Sequence, residues 1–592
     1  MPKQIKTLTA ILALVLLAGA GCNSGKHENA GGATTNNDSA FAGFETRFLD
    51  AYWRQHPSAS IGVGYGKYYD ELTIPDSASS VANLDFNRRW LDSLNGTGYD
   101  QLNDNDKVSF KIIKNQLEAE DWYSTIFKEQ EWNASQYNLS GDCDYILNQP
   151  YAPLEARLLI LTHHLAHADA YFRAGLRNLN RPVKEYVELA VLQNQGGLDI
   201  LGAGLADSIK ASHLTDAQKD SLRATVNRAV VAIKGYVDAL KAIESNKKMD
   251  FRDFRIGKDL FTTKFKYDLA IDLTPEQVYN QAIADEAVYH RQMFHTADSI
   301  WPIYMGAQAK PKDSFALVQQ VLDKIQLKHA KPADFQDSAI SQLYQLKQFI
   351  IARDLFAFDT TNNPIRVRLM PVYERGVVVA SAEQVPPYQK KGISYYNVDD
   401  LTRYDTKKAE GALREANDFA SQILTIHEAM PGHCMQLTYS NQKSPDVVRA
   451  VFQNGAMVEG WAVYTEGMML ENGWGNHAPE LELMLDKWKL RELGNVVIDY
   501  GIQCLHMSQD SVMHFLVRDC FQTEQQAKEK YHRATVSQVQ LCSYYAGSTA
   551  ILALRTDYQK KKGTAYALKD FHERFLSFGS SPVKYIRERM LQ

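Results

Sequence analysis

The sequence lacks the features that would place it in several large functional classes. It has no long basic run, and its 65 Lys and Arg are outnumbered by 70 Asp and Glu, for a formal charge of −5. Phosphate backbones are held by clustered cations, so nucleic acid is not an expected partner. No apolar run reaches the ~20 residues that a membrane-spanning helix needs. There is no C-x-x-C pair, and the cysteines after Cys22 are Cys143, Cys434, Cys504, Cys520 and Cys542, an odd number. A disulfide framework is therefore not expected, and at least one thiol stays free. No repeat of fixed period occurs, and no low-complexity linker follows residue 40.

The N-terminus is informative. In "MPKQIKTLTAILALVLLAGAGC", Lys3 and Lys6 precede an apolar run from Leu8 to Ala20. A charged start, a short apolar stretch and small residues read as a secretory signal. Gly19, Ala20 and Gly21 lead into Cys22 and resemble a bacterial lipobox, although Gly19 stands where leucine is usual. Residues 1–22 are thus expected to be a lipoprotein signal peptide with Cys22 as the lipidated residue. Residues 23–40, polar and Gly-rich, read as a flexible tether. The folded part, 41–592, is then expected outside the cytoplasm, anchored to an envelope membrane through lipid.

The body reads as long amphipathic helices. Segments 107–122, 153–180, 214–244, 275–298 and 313–328 place apolar residues at helical spacing. Thr274, Pro275 and Gln277 form a capping box. Strands are expected at 365–382, rich in valine, and at 392–400. The expected class is mainly α, with a small β-sheet just ahead of the most telling motif.

That motif is "TIHEAMPGHCMQ", residues 425–436. Ala420, Ile423, Ile426 and Met430 predict a helix with one buried face, carrying His427 and Glu428. In H-E-x-x-H the two histidines sit four apart and point at one ion. Here His433 comes six after His427, an advance of ~240° on a regular helix. Pro431 and Gly432 are the expected means of distorting the helix so that His433 returns. A carboxylate ligand is expected from "NGAMVEGWAVYTEGMMLENG", 454–473. There Glu459 and Glu466 share a stripe with Ala456, Ala462 and Val463, and small neighbours allow close helix approach. Buried carboxylates in such a place need a cation or donors. Glu459 is the expected third ligand beside His427 and His433, with Glu466 supporting from behind. Cys434 is left out of the ligand set, because a thiolate adjacent to His433 would be strained. "HHLAH", with His163 and His167 four apart, lacks an acidic base and reads as a polar helix face.

These residues resemble a known family. His427-Glu428-x-x-Pro431-Gly432-His433 followed by Glu459-Gly460-Trp461-Ala462-x-Tyr464-x-Glu466 is similar to the bacterial domain-of-unknown-function 885 family. That family is grouped with gluzincin-like helical zinc peptidases. "HPSASIGVGYGKYYDEL" at 56–72 and "FHERFLSFGSSPVKYIRERML" at 571–591 resemble its opening and closing segments. The resemblance implies a large helical metallopeptidase fold binding one Zn²⁺ per chain and acting on peptide substrates. Glu428 would be the general base. Tyr544, from "SYYAGSTAILALR", would donate to the oxyanion, and Asp499 and Arg555 would lie in outer positions or near substrate. Cys434 and Gln503 depart from residues the family often has. A zinc hydrolase of a non-peptide amide, or a non-catalytic envelope lipoprotein with a vestigial site, would use the same residues.

Overall fold

The computed structural model describes residues 36–357, 364–371, 379–389, 391–444 and 446–592. The signal segment, Cys22 and most of the expected tether lie outside the described residues, as does 372–378 of the first strand segment. The chain is mainly α with one small sheet. No described helix is long and apolar enough to cross a membrane.

The first helix opens at Asn36, which corrects the tether's boundary. Polar composition does not separate a tether from the first turn of a helix. The helix's apolar face buries Phe41, Phe44, Phe48 and Trp53 against Phe86, Ile113 and Leu117. The expected helix at 107–122 runs Asp104–Trp122, capped by the Asn103 side chain. Those at 214–244 and 275–298 run Asp216–Ser245 and Pro275–Met305, the latter with the expected capping box at Thr274. The helix expected over 313–328 is shorter, Ser314–Ile325.

The expected single helix at 153–180 is broken. Leu154–His164 and Ala168–Asn178 are joined by a tight turn at Leu165–His167. Apolar spacing misses such a break when both halves bury the same side. His164 points inward to the Glu71 carbonyl at 3.0 Å, whereas His163 and His167 are exposed. This segment is the polar helix face that the sequence suggests.

Three short strands form the sheet: β1 Ile365–Leu369, β2 Ala380–Glu383 and β3 Ser394–Val398, in the order β1-β3-β2. β3 pairs parallel with β1 (Ile365 opposite Ser394) and antiparallel with β2 (Ala380 opposite Val398). Tyr396, Val398 and Ala380 pack with Leu413 and Ala429, which seats the sheet beside the His427 motif. The main core runs from Phe127 to Met590 and encloses that motif; a second, from Ile61 to Leu240, fills the N-terminal helices.

Candidate metal centre

His427 lies in the last turn of helix Ala420–Glu428, whose inward residues Ala420, Ile423 and Ile426 are buried. The helix does not kink and continue, as the sequence suggests; it stops. A connector, Ala429–Gly432, leads directly into a second helix, His433–Lys443. The Met430–Pro431 peptide in it is cis. The Gly432 amide donates back to the Ile426 carbonyl at 2.9 Å, folding the connector onto the helix it leaves. A Cβ on Gly432 would lie 1.8 Å from the His427 carbonyl oxygen. Its φ of −70° is ordinary. The close approach to the His427 carbonyl shows that glycine is needed here for room. The outcome is the convergence that six-residue spacing alone would forbid: the two imidazoles stand 4.8 Å apart, centroid to centroid, at 88°.

Helix Gly455–Glu471 brings the carboxylate. Trp461 on this helix donates its indole N–H to the Pro431 carbonyl at 2.9 Å, tying the helix to the connector. Glu459 Oε2 then stands 3.5 Å from His433 Nε2 and 3.9 Å from His427 Nε2. One donor atom from each of His427, His433 and Glu459 lies within 4.8 Å of the others. Two donors of a tetrahedral zinc with bonds of ~2.0–2.1 Å stand ~3.4 Å apart, so this set has the right size and chemistry. Glu466, one turn pair further along the same helix and fully buried, faces His427 Nδ1 at 2.8 Å. This contact places the proton on Nδ1 and turns the Nε2 lone pair toward Glu459.

Behind Glu466 stands Lys489, from helix Pro479–Leu505, which has no signal in the sequence. Its ammonium bonds Glu466 Oε2 at 2.7 Å, the Val463 carbonyl at 2.9 Å and Glu492 at 3.2 Å. Burial opposes its charge, but Glu466 and Glu492 hold it protonated. Lys489 sits 23 residues after Glu466 on a separate helix, so no local spacing links the two.

Without a cation these groups compensate one another. Burial disfavours a charged His433, yet Glu459 beside it pushes its pKa up to about 9. Burial and the neighbouring His433 keep His427 below the ordinary imidazole value. Burial raises Glu428 above the usual carboxylate range, against the pull of both histidines. Among the described residues Glu428 has no hydrogen-bond donor.

Tyr544 starts helix Ser543–Lys562, which crosses the Glu459 helix with backbones touching. A Cβ on Gly547 would lie 1.8 Å from the Ala456 carbonyl oxygen, and one on Gly460 would lie 2.3 Å from the Gly547 carbonyl carbon. This contact sets Tyr544 near Glu459, whose charge helps burial to raise the phenol's pKa. Arg533 approaches the Tyr544 hydroxyl at 3.4 Å and donates to Gln540 at 2.7 Å. No local sequence signal points to Arg533.

The other two residues expected in outer positions or near substrate make contacts of their own. Arg555 is on the Tyr544 helix but eleven residues along, ~16 Å at 1.5 Å per residue. Its guanidinium bonds Glu471 at 2.8 Å and lies over the Tyr464 ring. Asp499 is fully buried and takes a bond from the Cys542 thiol at 3.6 Å, next to the start of the Tyr544 helix. It supports that end of the helix and does not touch the ligands. The departures are also accommodated. Gln503 bonds the Ile256 amide and the Ala534 carbonyl, and Cys434 faces the Tyr395 carbonyl, away from the ligand set. All five described cysteines are free thiols.

Glu459 also lines a cavity of about 370 Å³, shared with Gln116, Glu120, Tyr123, Asp268 and Asn454.

No curated protein matches the chain significantly. Among solved structures, a proposed lipoprotein of unknown function from Shewanella oneidensis is 39% identical. The match covers 93% of this chain and 100% of that one, with a TM-score of 0.85. A second proposed lipoprotein, from Colwellia psychrerythraea, shares the fold with a TM-score of 0.76 at 16% identity, over 94% of this chain and 99% of that one. The model of the family described as bacterial protein of unknown function (DUF885) matches residues 57–590, so the chain belongs to that family.

Proposed function

We propose that this protein is a zinc-dependent peptidase of short peptides, held at the cell envelope by a lipid on Cys22. The observation that carries the reading is the convergence of His427, His433 and Glu459, with Glu466 fixing the His427 tautomer and Glu428 one residue away. Two nitrogens and a carboxylate oxygen are a donor set that leaves one position open, as catalytic zinc sites do. When bound there, zinc supplies Lewis acidity and a water acidic enough to attack near neutral pH.

The protein's own groups divide the remaining work. Glu428 accepts the proton of the attacking water and returns it to the leaving amine. Its place beside His427, at the open position of the donor set, suits that exchange. Tyr544, close to Glu459, donates its O–H to the carbonyl oxygen as charge gathers there. Lys489 and Glu466 keep His427 from rotating, so its lone pair stays on the site. A cavity of about 370 Å³ beside Glu459 suits a short segment of chain. A site kept only for structure would have no need of Glu428. The relatives described as lipoproteins support the envelope location.

The test is metal analysis of the purified chain together with Glu428→Gln assayed on a peptide library. Stoichiometric zinc in both proteins, with turnover lost only in the variant, is the expected result. Absence of zinc from the wild type, or a variant that cleaves as well as wild type, would sink the reading.

A further inference from the structure

The cavity that shares Glu459 with the metal centre is uneven in charge. Helix Asp104–Trp122 turns one whole face into it: Ile112, Asn115, Gln116, Ala119, Glu120 and, just past its end, Tyr123. The residues lining it include Glu120, Asp268 and Glu459, and among the described lining residues there is no Lys, Arg or His. Two of these carboxylates are already spoken for. Glu459 faces His433, or the cation that replaces its proton. Asp268 is neutralised by Lys264 at 2.7 Å and also takes the Tyr123 hydroxyl.

Glu120 is different. Its Oε1 accepts from Tyr52 and, at 2.8 Å, from Gln116. Among the described residues its Oε2 has only His56 Nε2 at 3.8 Å, too far for a hydrogen bond. That Nε2 is itself buried without a partner. Burial keeps the His56 imidazole below its ordinary pKa, so it does not balance Glu120 at neutral pH. A carboxylate held by neutral donors on one oxygen and left open on the other, in a cavity without cations, is built for a positive group that arrives with the ligand.

We infer that Glu120 binds the free α-ammonium of a peptide whose scissile bond lies at the metal centre, making the protein an exopeptidase that requires an unblocked N-terminus. This rests on the peptidase reading and adds to it the end from which substrate is taken. The cavity of about 370 Å³ lies at the small end of ligand pockets, which suits the N-terminal part of a short peptide better than the middle of a long one.

The experiment compares wild type and Glu120→Gln, which keeps the side chain's shape, at equal zinc content and thermal midpoint. Turnover is measured on peptides with free and with acetylated N-termini. Separately, calorimetry measures binding of leucinamide and of N-acetyl-leucinamide. Wild type is expected to prefer free over acetylated ligands in both measurements. Glu120→Gln should lower that preference roughly 10- to 100-fold, the worth of one hydrogen bond to a charged group. The inference is overturned if wild type treats free and acetylated peptides alike, or if the variant leaves the preference unchanged. Leucinamide binding that depends on Glu120, with no peptide cleaved, would keep the ammonium site and remove the peptidase reading. Cleavage without N-terminal preference would do the reverse. If the glutamine variant unfolds, wild type alone still decides through its preference for free over acetylated leucinamide.

Discussion

His427 owes its usefulness to orientation more than to identity. A neutral imidazole offers one lone pair, and Glu466 at 2.8 Å from Nδ1 decides which nitrogen carries it. Replacing Glu466 by Gln should weaken zinc binding by roughly 10- to 100-fold, the usual effect of losing a partner behind a metal ligand. Competition with a chelator reads this directly, and unchanged affinity would show that Glu466 merely fills space. Losing a ligand is more severe. His433→Ala or Glu459→Gln should leave the purified chain without stoichiometric zinc, and full retention in either would remove that residue from the set. Glu428→Gln should keep the ion and lose roughly 10²- to 10⁴-fold in turnover, as expected for a general base. These five residues were legible because each carries a local signal: an H-E pair, a Pro-Gly break, and two carboxylates among small side chains. Lys489 carries none, and only its contact with Glu466 reveals it.

At the level of elements, two glycines set how closely the ligand-bearing pieces approach. Gly432→Ala places a methyl 1.8 Å from the His427 carbonyl, so the connector must open and the two histidines must part. The expected result is reduced zinc occupancy with the far-UV spectrum unchanged; normal occupancy would mean the connector yields without moving His433. Gly547→Ala drives a methyl into the Ala456 carbonyl where two helices touch. Overpacking of that kind costs about 1–3 kcal/mol and should appear as a lower denaturation midpoint. An unchanged midpoint would show that the crossing has slack. Sequence periodicity found most of these helices but not the break at Leu165–His167, nor the clean stop after Glu428. Apolar spacing reports which side of a helix is buried, and it is blind to an interruption that preserves the side.

For the whole molecule, the buried Asp499 ties stability to pH. Burial pushes its pKa up to about 8, against ~3.9 in an unfolded chain. Between those values the folded chain holds one proton more than the unfolded chain, so this contribution to stability is full at low pH and is lost as pH rises through 8. The wild-type thermal midpoint should therefore fall between pH 6 and pH 9, and Asp499→Asn should fall less over the same interval. Parallel curves would count against a neutral Asp499. The envelope location has its own test. Cys22→Ser in the full chain should move the protein from the membrane fraction to the soluble fraction, and continued membrane association would exclude lipid on Cys22 as the anchor.

Composition, the signal-like N-terminus, the helical class, the small sheet beside the motif and the residues His427, Glu428, His433, Glu459 and Glu466 all follow from the sequence, because each depends on spacing within one short segment. Arg555, expected in an outer position or near substrate, bonds Glu471 three turns along the helix from Tyr544. Tertiary structure alone decided what lies behind and beside the metal centre: Lys489 against Glu466, Trp461 on the Pro431 carbonyl, and Glu120 across the cavity. These partners come from helices tens to hundreds of residues apart, and only the packing of one helix on another brings their side chains within reach.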